Sequence, residues 1–268
     1  MRRRTAAAIL ALASLARCSP PVAVPERGGA AIVQTSIINA LMLGRYDGVT
    51  PVADLLGLGD FGLGTVDRLD GELIILDGRA YQARGDGSVV DASRTTTPFA
   101  VVTPFEEDGS LPCPPSRRLA DLEAALDATL PWKNSFVAIR IEADLEAITI
   151  RSVPRQEPPY RPLEEVSRGQ SVWAREEVKG TLLGIRSPAW VGGLSVPGHH
   201  WHFISAGRDL GGHVLDVRVR AGTVRYAVRR EWRILLPDDS PGFDAVDLTP
   251  DLSRELKRVE SAREPSTQ

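Results

Sequence analysis

The stretch Pro197-Gly198-His199-His200-Trp201-His202-Phe203-Ile204, followed closely by Gly211-Gly212-His213-Val214-Leu215, holds all four histidines of this 268-residue chain. The first segment is aromatic and ends β-branched, which favours a strand. His213 opens a run, through Arg220, in which apolar and polar residues alternate as in a half-buried strand. The glycine-containing loop between them predicts two adjacent strands. On a strand, residues two apart leave the same face, so His200 and His202 point together and His199 points away. His213 on the neighbouring strand can meet the pair. Three neutral imidazoles without a thiolate match an open zinc site better than a closed structural one, and imidazole suits zinc. A cupin-type site also uses His-x-His but wants a carboxylate a few residues later, where Ala206 and Gly207 stand.

Outward from this stretch, the class reads as α+β with β dominant: mixed or antiparallel sheets in two closely packed halves, with a C-terminal helix. Proline-rich Pro154 to Pro162 suggests a boundary between an N-terminal α+β half, 26–158, and a β-rich half, 159–268, that carries the metal site. In the first half, Ile32 to Leu43 fits strand or helix. Pro51 to Leu58 reads as a short helix with Thr50 as cap and Pro51 at its first position. Glu72 to Leu76 and Arg79 to Ala83 flank Asp77-Gly78, a strong hairpin signal, and Phe99 to Phe105 is a further strand. Leu119, Leu122, Leu126 and Leu130 give Arg117 to Leu130 one apolar helical face. Asn134 to Glu142 and Leu145 to Val153 read as a second hairpin. The second half offers strands at Val172 to Ile185, the histidine segment, His213 to Arg220 and Thr223 to Leu236. A closing helix follows from Pro250 to Ala262, capped by Thr249.

Composition narrows the function. A net charge of −3 implies no polyanionic partner and no nucleic acid. The 32 basic residues include three lysines, Lys133, Lys179 and Lys257, none in a setting that suggests Schiff-base chemistry. Gly59-Asp60-Phe61-Gly62-Leu63-Gly64-Thr65 lacks the Gly-Lys-Ser/Thr ending of a phosphate loop. At the N-terminus, Arg2-Arg3-Arg4 precedes an apolar stretch, Ala6 to Ala16, too short to span a membrane. Residues 1–25 are therefore expected to be a signal peptide and linker, and the protein to be exported; the alternative is a cytoplasmic protein with an overcalled start. Leu15-Ala16-Arg17-Cys18 resembles a lipobox, with Arg17 as a departure, so the exported form is either free or lipid-anchored through Cys18. With Cys18 removed or lipidated, Cys113 stands alone and no intramolecular disulfide is expected.

Several motifs in order resemble the α-acetolactate decarboxylase family. They are the glycine run 59–65 with Leu69-Asp70-Gly71-Glu72, Asp77-Gly78 and Tyr81-Gln82, then Thr97-Pro98-Phe99-Ala100 and Val102-Thr103-Pro104-Phe105. In the second half they are Gly184 to Gly193 and the two histidine segments. The resemblance runs from about residue 32 to residue 262 without large gaps. It implies conversion of (S)-2-acetolactate to (R)-acetoin and carbon dioxide, with zinc held by His200, His202 and His213, the same three selected by spacing. The metal would chelate the ketone and hydroxyl oxygens and stabilise an enediolate. By resemblance Glu72, Arg151 and Glu260 are the active-site residues, with Glu255 as fallback because the closing helix does not fix its own register. The family habit implies a homodimer acting on a small molecule. Two rivals remain at this stage: a hydrolase using the same three-histidine zinc, and a non-catalytic zinc protein on the same fold.

Overall fold

The computed structural model describes residues 30–238 and 242–261. The proposed signal segment, Cys18 and the final residue of the proposed closing helix lie outside them. Two β-sheets pack face to face. The first runs in the order Trp232–Leu235, Ile32–Thr35, Phe99–Thr103, Phe61–Thr65, Glu72–Leu76, Arg79–Ala83 and Val89–Asp91. All its pairings are antiparallel except the parallel one between Ile32–Thr35 and Trp232–Leu235. The second is built from the long strands Phe136–Ser152, Ser171–Ser187 and Gly211–Arg229 with the histidine strand Gly198–Ser205 and the short Gly109–Pro112. Phe136–Ser152 pairs with both other long strands, and Gly198–Ser205 pairs along its whole length with Ser171–Ser187 and, at His202–Ile204, with the start of Gly211–Arg229. The ladder therefore closes on itself, with His202 and His213 directly paired where it closes.

Alternation explains the layers. Glu72–Leu76 is buried on both faces: Ile74 and Leu76 pack with Ala138, Leu183 and Ile185 between the sheets, whereas Leu73 and Ile75 pack outward against Val52 and Leu55. Val137, Ile139 and Ile141 alternate to the other side of their sheet, where Leu122 and Leu126 of helix Leu119–Thr129 cover them. The closing helix Ser253–Glu260 buries Leu256 and Val259 against the inter-sheet core. The architecture is the β-dominant α+β class expected. No described helix is long and apolar enough to cross a membrane.

Several local expectations change. The proposed hairpin Asn134 to Val153 is one continuous strand. Ala143-Asp144 makes no reversal, and register shifts around Leu145 absorb the break in alternation as a bulge. His213 likewise begins no short strand: Gly211–Arg229 runs through Ala221-Gly222 unbroken, and the segment expected from Thr223 to Leu236 divides at Arg230-Glu231 between the two sheets. The sheets do not divide at residues 158 and 159 either. The proline-rich segment connects two strands of one sheet, and the last strand returns to the other. Ile32 to Leu43 is strand then helix (Ile32–Thr35, Ile38–Met42). Pro51 sits at the N-cap with extended ψ of 132°, and Thr50 pairs with Thr97 instead of capping. Thr249 hydrogen-bonds Asp247, while Asp251 accepts from the Ser253 N–H at the start of the closing helix.

Gly184 is the glycine that matters most for the site. It pairs with Trp201 across the ladder, and a Cβ there would collide with the indole ring. Trp201 lies between His200 and His202, so Gly184→Val should displace it. We expect a loss of about 1–3 kcal/mol in stability, read by denaturant unfolding; an unchanged midpoint would show that the ring has room to move.

Candidate active site

One row across the second sheet sets most of the site. Arg151 of Phe136–Ser152 lies opposite His213, and His213 lies opposite His202. Directly opposed residues on paired strands share a face, at a strand spacing of about 4.8 Å. His200, two residues before His202, joins that face. The ring centroids of His200, His202 and His213 are 5.0–5.6 Å apart, and one potential ligand atom from each lies within 4.8 Å of the others. All three rings are buried. His199 is on the other face, as its odd position requires. It stacks on Trp201 and sets Nε2 3.0 Å from Asp127 Oδ1, and the Trp201 indole donates to Glu123 at 3.1 Å.

The facing sheet and the closing helix supply the rest. Glu72, the first residue of its strand, accepts a hydrogen bond from Arg151 Nη1 at 3.0 Å and brings Oε2 to 3.5 Å from His202 Nε2. The next residue, Leu73, offers its backbone carbonyl 2.9 Å from His202 Nδ1. A carbonyl only accepts, so Nδ1 carries the proton and Nε2 keeps a lone pair. Glu260 ends the closing helix with Oε2 3.7 Å from His200 Nε2 and 3.8 Å from His213 Nε2. Glu255 stays at the surface with Arg258. The structure thus brings Glu72, Arg151 and Glu260 to the three histidines and leaves Glu255 out. Sequence reasoning did not find the Leu73 carbonyl, because any residue can supply one.

Burial governs the electrostatics. Desolvation, with Arg151 adding repulsion, holds His200 down to about 3 and puts His202 and His213 well below the usual histidine range. All three imidazoles are neutral at ordinary pH, the form that binds metal. His202 Nε2 and His213 Nδ1 are buried without a hydrogen-bond partner, a state that ordinarily costs about 1–3 kcal/mol each. Neutral rings, lone pairs without partners and mutual approach fit a divalent cation such as zinc. Glu72 is pushed up to about 7, burial and the nearby Glu260 outweighing the attraction of Arg151; burial likewise raises Glu260 to about 7. A bound dication would draw both down. A cavity of about 40 Å³ borders the group, with Glu72, Arg151, His200 and Glu260 in its lining.

These shifts set the acid response of metal-stripped protein. A histidine whose pKa is depressed by folding, as all four are, takes up its proton more readily when unfolded, so stability falls as pH drops below 6.5. Glu72 and Glu260 act oppositely between 4.5 and about 7, where only the folded chain holds their protons. The imidazoles outnumber them. The urea midpoint should therefore decline gently from pH 6.5 to 4.5 and steeply below, where the carboxyls no longer compensate. A midpoint that rises on acidification would contradict the depressed histidines.

A β-dominant fold that encloses three neutral imidazoles, a buried arginine and two proton-holding carboxyls defines a class of protein able to hold a metal ion at an open three-histidine centre. The family described as alpha-acetolactate decarboxylase matches residues 32–250. The chain is 44% identical over 230 residues to an alpha-acetolactate decarboxylase of Methanosarcina mazei, covering 85% of this chain and 80% of that protein. It is 42% identical to one from Methylococcus capsulatus, over 80% and 83%. The crystal structure of alpha-acetolactate decarboxylase from Bacillus subtilis strain 168 superimposes with a TM-score of 0.83 at 34% identity, covering 87% of this chain and all of that one. The chain belongs to the alpha-acetolactate decarboxylase family.

Proposed function

We propose that this chain decarboxylates (S)-2-acetolactate to (R)-acetoin with a zinc ion held by His200, His202 and His213. The observation that carries the reading is the convergence of three neutral imidazoles on the buried Arg151–Glu72 pair, in a member of this family. Bound there, zinc supplies a Lewis acid for the ketone and hydroxyl oxygens, where negative charge develops.

The chain's own residues supply the remainder. Arg151, fixed in its charge and 5% exposed, keeps Nε without a partner, a donor free for a substrate oxygen. The bond between C2 and the carboxylate carbon breaks, and its electron pair flows toward the ketone. A proton must then reach that carbon from one face to give a single enantiomer. Glu72, beside His202 and raised by burial to about 7 before any metal binds, is the group that delivers it. Glu260 closes the ligand set at rest or orients a water. Acetoin formation from racemic acetolactate, with and without a chelator, tests the reading: purified protein should consume one enantiomer and stop when stripped of metal. Turnover that survives metal removal would refute it, and ester hydrolysis without carbon dioxide release would point to a hydrolase.

A further inference from the structure

The cavity beside His200 is lined by two chemically different sets of residues. Besides the polar groups, its lining includes Ile38 and Leu41 from helix Ile38–Met42 and Leu163, the first residue of helix Leu163–Val166. These three side chains are buried, at 2%, 7% and 5% exposure. None carries a group that the proposed chemistry uses. A 2-hydroxy-3-oxo acid presents carboxylate, hydroxyl and ketone together with two alkyl groups. With its oxygens directed to Arg151, Glu72 and His200, the alkyl groups are left to meet the apolar lining. The cavity is small, about 40 Å³, so one added methylene would press on that wall.

We propose that Ile38, Leu41 and Leu163 are specificity-determining residues that limit the length of the alkyl groups flanking the reacting carbon. This rests on the decarboxylase reading. Phe99 also lines the cavity, but it pairs with Thr65 in the centre of the first sheet, where truncation would disturb the core. The helix bearing Leu163 is tied to the closing helix by the 2.8 Å bond from Arg258 Nε to Glu164.

The test uses the full chain loaded with zinc and two homologues of acetolactate, with ethyl replacing either the C2 methyl or the ketone methyl. Leu163→Ala and Leu41→Ala should raise kcat/KM for at least one homologue, relative to acetolactate, by about tenfold or more. Leu58→Ala, on an exposed residue outside the cavity, should leave that ratio unchanged. Where an alanine variant does not fold, Leu163→Val and Ile38→Val shave the same wall. Ratios within about twofold of the parent for both homologues in every folded variant would overturn the assignment alone. A parent protein that releases no carbon dioxide from acetolactate would overturn the decarboxylase reading and this assignment with it.

Discussion

Replacing His202 by alanine should abolish stoichiometric zinc and reduce acetolactate turnover by about a thousandfold, the several kcal/mol of charge stabilisation that a Lewis acid contributes at about 1.4 kcal/mol per decade. His202 is fully buried and sits between two partners: its protonated Nδ1 meets the Leu73 carbonyl and its lone pair faces Glu72. Removing the ring also leaves the Leu73 carbonyl unsatisfied, at a cost of about 1–3 kcal/mol in stability, so unfolding curves must accompany the metal assay. His199→Ala is the informative contrast. It removes an imidazole three positions away from the one tested, on the opposite face, where the ring meets Asp127 and Trp201; zinc content should persist. Full zinc occupancy in folded His202→Ala after dialysis would end the case for this centre.

Glu72→Gln should separate binding from proton delivery. Glutamine preserves the shape and can still accept from Arg151 Nη1, but it has no acidic proton. Zinc should remain, and kcat should fall by about a hundredfold or more, the usual contribution of a positioned general acid. Near-normal turnover would remove Glu72 from the acid role. The substitution also deprives buried Arg151 of its closest carboxylate, so part of any loss could come from a displaced guanidinium. The stereochemistry of the product distinguishes the two: failed protonation from one face yields racemic acetoin, whereas a misplaced arginine lowers the rate with enantiomeric purity intact.

What the sequence revealed followed the chemistry that needs specific side chains. The His-x-His spacing and the parity of strand positions placed His200 and His202 together and turned His199 away. The Asp77-Gly78 turn was equally plain, with φ of 52° and 70° at those residues. Strand lengths were not legible. Ala143-Asp144 and Ala221-Gly222 look like breaks, yet long strands carry through them because a bulge and a closed ladder tolerate a lapse in alternation that an isolated hairpin would not. The division into sheets was hidden for a related reason: Trp232–Leu235 follows a strand of one sheet directly but pairs in parallel with Ile32–Thr35 in the other. Glu260 could be named by resemblance but not placed by periodicity, since tertiary packing of Leu256 and Val259 decides how far the closing helix extends. The apolar cavity wall was invisible, because Ile38, Leu41 and Leu163 look like any core residues until two short helices converge.

The transverse alignment of Arg151, His213 and His202 has a consequence for any preparation of this protein. A strand slipped by one position turns its side chains through the sheet, so a mispaired molecule would lose its guanidinium or its ligands outright and not merely weaken them. Misfolded material would be silent, not sluggish. Specific activity should then count correctly assembled molecules, while the Michaelis constant stays the same from batch to batch.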